Sequence, residues 1–162
     1  MNRRDKNNYY LDIAETVCQR GTCLRKLYGA VIVKNDQIIS TGYVGAPRGR
    51  QNCSDLNYCV RAKLEIPRGE RYELCRSVHA EQNAIINASR ESMIDSTLYL
   101  VGLELPSMEY VENANCCSMC KRTIINAGIK NVIIRDNKQD YRIIEVNSWI
   151  DNDESILGEF GY

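Results

Sequence analysis

Hydrophobic residues recur with two different periods along the first part of the chain. Residues 5–20 carry them at spacings of three and four, which predicts an amphipathic helix, and Gly21 is typical of a helix end. Residues 30–33 are continuously apolar, Asn35-Asp36 is typical of a turn, and a second apolar run begins at Gln37, so a β-hairpin is predicted. The predicted buried face of the helix comprises Tyr10, Ile13, Ala14, Val17 and Cys18.

The second half of the chain alternates helical and strand patterns, which is typical of an α/β fold with helices covering a mixed sheet. The predicted elements are a helix over 79–90, a strand over 97–101, a polar connection over 102–115, a helix over 117–127 that ends at Gly128, and strands over 130–135 and 141–146. The buried stripe of the first of these helices is predicted to be Ala80, Ala84, Ile85 and Ala88.

The length of 162 residues, with no repeat and no linker, predicts a single domain over 1–162. Its motif-bearing core is expected over about 5–135, and a C-terminal extension with an acidic, exposed end over 136–162. A hydrophobic content of 44% with only three prolines indicates a globular chain. Twenty-one basic and 21 acidic residues give no general field that attracts nucleic acid, so a nucleic-acid partner is not expected.

The N-terminal sequence is charged and lacks the apolar core of a signal peptide. No apolar run approaches the roughly 18 residues of a membrane span. We therefore expect a cytoplasmic protein without a membrane partner. In such a protein, eight cysteines indicate metal binding or catalysis rather than disulfides.

Two short motifs carry metal-binding chemistry. His79-Ala80-Glu81 begins one predicted helix, and Cys117-Ser118-Met119-Cys120 begins another. Positions i and i+3 of a helix are neighbours, so both sulfurs face one side, and a helix N-terminus favours thiolate. His79, Cys117 and Cys120 would supply three zinc ligands and leave a fourth position for water, whose pKa falls from about 15.7 to about 7. Glu81 is then placed to shuttle a proton.

Each motif is weak evidence by itself. A lone histidine is more often a surface or core residue, and one Cys-x-x-Cys also suits a redox pair or half of a structural zinc site. The two together, each at a helix start, match the pattern of zinc nucleobase deaminases.

The chain resembles the zinc-dependent cytidine/deoxycytidylate deaminase family, and within it the deoxycytidylate type. The segments CLRKLYGAVIVKNDQIISTGYVGAPRG, CRSVHAEQNAI and CCSMCKRTIINAGIKNVI carry this resemblance across residues 23–134. It implies a three-layer α/β/α fold with a five-stranded mixed sheet and zinc between two helix starts. It also implies hydrolytic deamination of dCMP to dUMP, which feeds thymidylate synthesis, with zinc ligands His79, Cys117 and Cys120 and proton shuttle Glu81. Such proteins commonly form homo-oligomers, and dCTP and dTTP often regulate them.

Three positions depart from the family pattern. Cys116 replaces the usual proline before the first cysteine of the pair, either as a small buried substitute, which we favour, or as a thiol open to ligand exchange or oxidation. Val44 replaces the asparagine of Gly-Tyr-Asn-Gly, which puts nucleotide contact there in doubt. The connection over 102–115 is longer than in many relatives and would lie beside the active site.

The polar segment 44–76 is too long for an ordinary loop, so something is expected to hold it. Some relatives carry a second, structural zinc in this region, and four thiolates would close such a site. Ordinary buried or free cysteines are the alternative. The four candidate ligands are Cys23, Cys53, Cys59 and Cys75, whereas Cys18 is predicted to be a core residue.

A nucleotide substrate needs cationic or backbone N–H partners for its phosphate. Arg25 and Arg48 are the preferred candidates among the arginines near the motifs, although any single arginine is more often a solvated surface charge. Gly45 and Ala80 are predicted to approach the substrate closely.

Two other functions fit parts of the pattern. One is deamination of another amino-heterocycle, such as cytidine, a modified nucleotide or an adenosine in tRNA. The other is a non-catalytic, zinc-stabilised interaction protein, against which the carboxylate of Glu81 argues because a structural zinc site has no use for it.

Overall fold

The computed structural model describes residues 1–158, and its first elements follow the predicted pattern. Helix α1 spans Lys6–Cys18 and begins after Asp5, whose carboxylate accepts a hydrogen bond from the backbone N–H of Asn8 at 3.1 Å. Strands β1 (Lys26–Lys34) and β2 (Gln37–Tyr43) form the predicted hairpin. Its turn residues Asn35 and Asp36 have φ values of 51° and 61°, as a two-residue hairpin turn requires.

The strands form one five-stranded mixed sheet in the order β2-β1-β3-β4-β5, which confirms the predicted fold class. Strand β3 spans Thr97–Glu104, β4 spans Asn131–Arg135 and β5 spans Tyr141–Glu145. Only the β3–β4 pair is parallel. The helix between these two strands, α6, spans Ser118–Ala127 and ends at Gly128, whose φ is 81°.

Each face of the sheet carries its own hydrophobic core, so the molecule has the three layers expected. Side chains of β1, β3 and β4 alternate between the two cores because successive residues of a strand point to opposite faces. One core packs against α1 and includes Leu11, Ala14, Val31, Tyr99, Val101 and Ile133. The other packs against the remaining larger helices and includes Ile32, Ala80, Ala84, Leu98, Leu100, Ile124 and Val132.

The helix predicted over 79–90 is shorter and interrupted. Helix α4 spans Ala80–Ile86, and a separate one-turn helix, α5, spans Arg90–Met93. The interruption comes from Ser89, whose hydroxyl caps α5 by accepting from the N–H of Ser92 at 3.2 Å. Of the predicted stripe, Ala80 and Ala84 are fully buried, whereas Ile85 and Ala88 are only partly buried.

The strand predicted over 97–101 is longer than expected. It continues through Glu104 because β1 offers it a partner along its whole length, from Lys26 opposite Glu104 to Val33 opposite Thr97. Leu103 also forms an isolated bridge with Tyr110, so the connection predicted over 102–115 starts later and is partly paired.

The tail contributes β5 to the sheet edge, followed by helix α7 (Asn147–Asp151) and a 3₁₀ turn over Glu154–Leu157, neither of which was predicted. The end of the predicted acidic extension, residues 159–162, lies outside the described residues. The segment 44–76 contains two one-turn helices, α2 (Cys53–Leu56) and α3 (Val60–Lys63), and a 3₁₀ turn over Tyr72–Leu74. Within residues 1–158, no helix has the length and apolar character needed to cross a membrane.

A glycine on β2 sets how closely α4 approaches the sheet. A Cβ atom at Gly42 would lie 2.3 Å from the backbone nitrogen of Ala84 and 2.4 Å from the carbonyl oxygen of Ala80. Both atoms are backbone, so no side-chain rearrangement would relieve the overlap. Helix α4 therefore packs directly on the backbone of β2.

Candidate active site

The two sequence motifs meet at the N-termini of α4 and α6. His79 is the residue immediately before α4, and Cys117 is the residue immediately before α6; both have extended backbones. The backbone N–H of His79 donates to the side-chain oxygen of Gln82 at 3.1 Å, which fixes the chain where it enters α4. Cys120 lies one turn into α6, so its sulfur is on the same side as that of Cys117.

The side chains of His79, Cys117 and Cys120 converge with the spacing of metal ligands. Their ligand atoms all lie within 4.8 Å of one another, and no other such group of three occurs among residues 1–158. The Nδ1 atom of His79 lies 3.5 Å from Sγ of Cys117 and 3.4 Å from Sγ of Cys120. Tetrahedral zinc, with Zn–N near 2.0 Å and Zn–S near 2.3 Å, separates its ligand atoms by about 3.6 Å. The three residues therefore fit a zinc ion.

The pKa values of the Cys117 and Cys120 thiols are shifted in opposite directions. A hydrogen bond from Cys120 and a second from His79 lower the pKa of Cys117 to about 4. The same interaction with Cys117, together with burial, raises the pKa of Cys120. The lowered pKa favours the thiolate of Cys117, which is the form that binds a metal.

Glu81 lies in the first turn of α4 with only 4% of its surface exposed. It lines the same cavity of about 140 Å³ as His79 and Cys117. Burial raises the pKa of its carboxyl group, since a buried carboxylate loses hydration. A buried carboxyl group beside three residues that fit a zinc ion has the position expected of an acid/base residue.

Cys116, the residue at the family's proline position, is buried and lies outside the group of three ligands. Burial raises the pKa of its thiol, and the thiol is hydrogen-bonded to Glu81. These features agree with a small buried substitute for proline. Val44, the second departure, is also buried and contributes to the wall of the cavity.

Several basic side chains line the metal cavity. The predicted Arg25 is among them, whereas Lys26, Arg61 and Arg68 were not predicted. The predicted Ala80 also lines the cavity. Lys26 and Arg68 both form ion pairs with Glu104, at 3.4 and 3.0 Å. The ion pairs found among residues 1–158 include neither Arg25 nor Arg61.

The other two predicted substrate residues, Arg48 and Gly45, do not reach this cavity. They line a separate concavity of about 480 Å³, together with Arg20 and Arg50. A guanidinium N–H of Arg48 donates to the side-chain oxygen of Asn87 at 2.9 Å, on the far end of α4. The structure therefore gives no geometric support to a contact between Arg48 or Gly45 and a substrate at the metal group.

The four cysteines proposed for a second zinc are neighbours, but their sulfurs do not converge as the first group does. Cys23, Cys59 and Cys75 line the metal cavity. Burial, followed by the proximity of Cys23 and Cys75, raises the pKa of Cys53. The sulfur of Cys23 accepts a hydrogen bond from the backbone N–H of Arg25, and the sulfur of Cys75 accepts one from the backbone N–H of Ser77, each at 3.4 Å. A second zinc site at these residues stays a prediction.

Comparison with known proteins points to one family. Residues 4–135 match the family described as the cytidine and deoxycytidylate deaminase zinc-binding region. The deoxycytidylate deaminase of Mycobacterium phage D29 is 34% identical over 137 residues, covering 82% of this chain and 96% of the relative. The deoxycytidylate deaminase of Schizosaccharomyces pombe is 29% identical over 127 residues; the match covers 78% of this chain and 36% of that longer relative.

A solved structure has the same fold. The dCMP deaminase of the cyanophage S-TIM5, crystallised with dCMP and dUMP, superimposes with a TM-score of 0.57 at 27% sequence identity. The alignment covers 83% of this chain and 84% of that one.

Proposed function

Because the chain belongs to the cytidine and deoxycytidylate deaminase zinc-binding family, we propose that it converts dCMP and water to dUMP and ammonia. The observation that carries this proposal is the convergence of His79, Cys117 and Cys120 beside the buried carboxyl group of Glu81 in one cavity. The phage D29 relative, which bears this activity in its name, is matched along 96% of its length.

The ligand set of one imidazole and two thiols leaves one tetrahedral position open, as catalytic zinc sites do. Zinc, when bound there, acts as a Lewis acid that lowers the pKa of water by several units. The water oxygen forms a bond to C4 of the cytosine ring, and Glu81 transfers one water proton to N3 and the other to the amino group. The bond between C4 and the amino nitrogen then breaks, and the nitrogen leaves as ammonia. His79, Cys117 and Cys120 hold the metal. Helix α4 fixes the separation between the ligand His79 and the proton shuttle Glu81.

The basic lining of the cavity favours a nucleotide over a nucleoside. Lys26 and Arg68 are each paired with Glu104, whereas Arg25 has no ion-pair partner among the described residues and lines the cavity. A phosphate group would supply the missing anion, and a guanidinium binds phosphate through two parallel hydrogen bonds. We therefore assign the 5′-phosphate of dCMP to the Arg25 side of the cavity.

Ammonia release by the zinc-loaded protein tests the proposal. We expect turnover of dCMP to exceed that of deoxycytidine, cytidine, CMP and dCTP at equal concentration. Turnover of another of these substrates instead would support the second candidate, a deaminase of a different amino-heterocycle. Release from none of them, in protein that retains zinc, would contradict deamination of dCMP and of cytidine. It would leave a modified nucleotide or an adenosine in tRNA as the substrate, or the non-catalytic alternative.

Regulation by dCTP and dTTP is part of the same proposal, and the second concavity is its proposed site. Arg20, Arg48 and Arg50 line it and supply the charge that a triphosphate needs. We expect dCTP to change the KM for dCMP in the native chain and to lose this effect in Arg48→Met. A homo-oligomer is expected, with its size measured by analytical ultracentrifugation, and a cytoplasmic location stays a prediction.

A further inference from the structure

Two side chains from the segment between Cys59 and Cys75 line the metal cavity, one on the one-turn helix α3 and one at the start of the 3₁₀ turn. Arg61 and Tyr72 both line it, and neither has a role in the metal group or in the proton transfer. Arg61 is only 6% exposed. A buried guanidinium is costly unless its hydrogen bonds are satisfied, so its partners indicate what it is there to hold.

Arg61 bonds to backbone rather than to a carboxylate. Its Nε donates to the carbonyl oxygen of Glu70 at 3.1 Å, and an Nη donates to the carbonyl oxygens of Pro67 and Glu70 at 3.1 and 2.6 Å. These bonds replace the regular backbone pairing that the segment lacks. Arg61 thereby fixes the path of the chain that leads to Tyr72.

Tyr72 lies between this cation and a metal ligand. The guanidinium carbon of Arg61 is 4.5 Å from the centre of the Tyr72 ring, within the range of a cation–π interaction. The ring centre of Tyr72 is 5.2 Å from that of His79, with the two planes at 81°. Tyr72 is therefore an aromatic wall held on one side by Arg61 and set edge-to-face against the imidazole.

A planar ring that brings an exocyclic amino group to the metal must enter beside this wall. Aromatic side chains bind nucleobases by stacking and edge contacts, which depend on the ring rather than on a single hydrogen bond. We propose that Tyr72 contacts the pyrimidine ring of the substrate and that Arg61 is a positioning residue that acts through Tyr72. This inference rests on the deaminase function proposed above.

The two roles predict a specific kinetic signature. A contact made equally with the bound substrate and the transition state changes KM and leaves kcat unaltered. Tyr72→Leu should therefore raise the KM for dCMP at least about tenfold, the scale of one base–aromatic contact, with kcat and zinc content unchanged. Tyr72→Phe should behave like the native chain because it keeps the ring.

The chain offers a matched control for Tyr72. Tyr58 lies in the same segment with the ammonium group of Lys63 at 5.0 Å from its ring centre, yet it is exposed and does not line the cavity. Tyr58→Leu should leave KM unchanged. The ring contact would be overturned if Tyr72→Leu had the same KM as the native chain. It would also be overturned if Tyr72→Phe raised the KM as much as Tyr72→Leu.

Arg61 is tested by a double-mutant cycle. Arg61→Met should raise KM about as much as Tyr72→Leu, and the double variant should show no further increase, because both changes remove the same wall. Additive effects would overturn the positioning role. If Arg61→Met does not fold, Arg61→Lys replaces it in the cycle.

Binding of dUMP, measured by calorimetry on the zinc-loaded protein, separates this inference from the deaminase proposal. We expect binding at least about tenfold weaker in Tyr72→Leu than in the native chain or Tyr58→Leu. If dUMP binding depends on Tyr72 but the native chain releases no ammonia from dCMP, the proposed deaminase function is contradicted. The contact between Tyr72 and the pyrimidine ring is then still supported. Unchanged dUMP affinity in Tyr72→Leu, or no dUMP binding by the native chain, overturns the wall.

Discussion

The Nδ1 atom of His79 lies 3.5 Å from Sγ of Cys117, although 38 positions separate the two residues in the chain. One precedes α4 and the other precedes α6, so the contact joins two helix N-termini on the same face of the sheet. A metal bound at this junction therefore links two helices that the chain connects through α5, β3 and the segment after β3. Zinc is expected to contribute to folding as well as to catalysis.

Removal of a ligand tests that link. Cys117→Ser should lower zinc content, abolish ammonia release and lower the thermal unfolding temperature, because the junction loses its cross-link. Chelation of zinc from the native chain should give the same shift in unfolding temperature. The conservative change Met119→Leu, placed between the two cysteine ligands, serves as the control and should retain zinc; a Cys117→Ser protein with full zinc content would refute the ligand assignment.

The acid/base role of Glu81 is tested by an isosteric change. Glu81→Gln keeps the size of the buried side chain and removes its proton transfer, which is worth roughly 10²- to 10⁴-fold in rate. We expect kcat to fall by that amount with the zinc content unchanged, measured by ammonia release and by metal analysis. Glu91→Gln, an exposed change on α5, is the control, and equal turnover in Glu81→Gln and the native chain would exclude the role.

The phosphate assignment predicts a substrate-dependent effect of Arg25. A hydrogen bond to a charged group contributes about 1.5–3 kcal/mol, so Arg25→Met should raise the KM for dCMP by roughly 10- to 100-fold. It should leave the kinetics with deoxycytidine unchanged, since that substrate has no phosphate. Arg48→Met, in the second concavity, should leave both substrates unaffected when no triphosphate is present. A loss with deoxycytidine as large as that with dCMP would mean that Arg25 does not bind phosphate.

Lowering the pH should weaken the interaction between Glu15 on α1 and Arg135 on β4 and so lower the free energy of unfolding. Burial alone would raise the pKa of Glu15, but hydrogen bonds from Lys138, Tyr110 and the buried Arg135 lower it below 4.5. A carboxyl group with a depressed folded-state pKa stabilises the fold above its unfolded-state pKa, and this contribution is lost as pH falls through the folded-state value.

We therefore expect Glu15→Gln to lower the free energy of unfolding by about 1–3 kcal/mol at pH 7. The difference from the native chain should narrow as pH falls below about 4.5, measured by denaturant unfolding at a series of pH values. Glu112→Gln, at an exposed position, is the control. A difference that is constant from pH 7 to pH 3 would show that the charge of Glu15 is not responsible.

The predicted second zinc is decided by metal content. If a second zinc is bound, the native chain should contain two equivalents of zinc, and Cys117→Ser should retain one of them. The proposed ligands of the second zinc are Cys23, Cys53, Cys59 and Cys75. Cys75→Ser should then retain only the catalytic equivalent, with a lower unfolding temperature. One equivalent in the native chain, lost in Cys117→Ser, would leave the four thiols as ordinary buried or free cysteines.

The convergence of His79, Cys117 and Cys120 could be predicted from the sequence, because these residues lie in two short motifs at helix starts that capping and periodicity indicate. The rest of the fold was not needed to identify these candidate residues, which are His79, Glu81, Cys117 and Cys120. Tyr72 and Arg61 could not be found in this way, because their segment has no periodicity and its path depends on side chain-to-carbonyl bonds. The extension of β3 to Glu104 was missed for a related reason, since it depends on a partner strand about 70 positions away in the chain.

The absence of a side chain at Gly42 has a consequence for how the enzyme can vary. A methyl group there would push α4 away from β2 and carry His79 and Glu81 outward together, while the two sulfurs on the α6 side stayed in place. Metal affinity and proton transfer would then decline in step although every ligand was intact. The position of His79 and Glu81 relative to the two sulfurs thus depends on a residue of the sheet that lines neither the metal group nor its cavity.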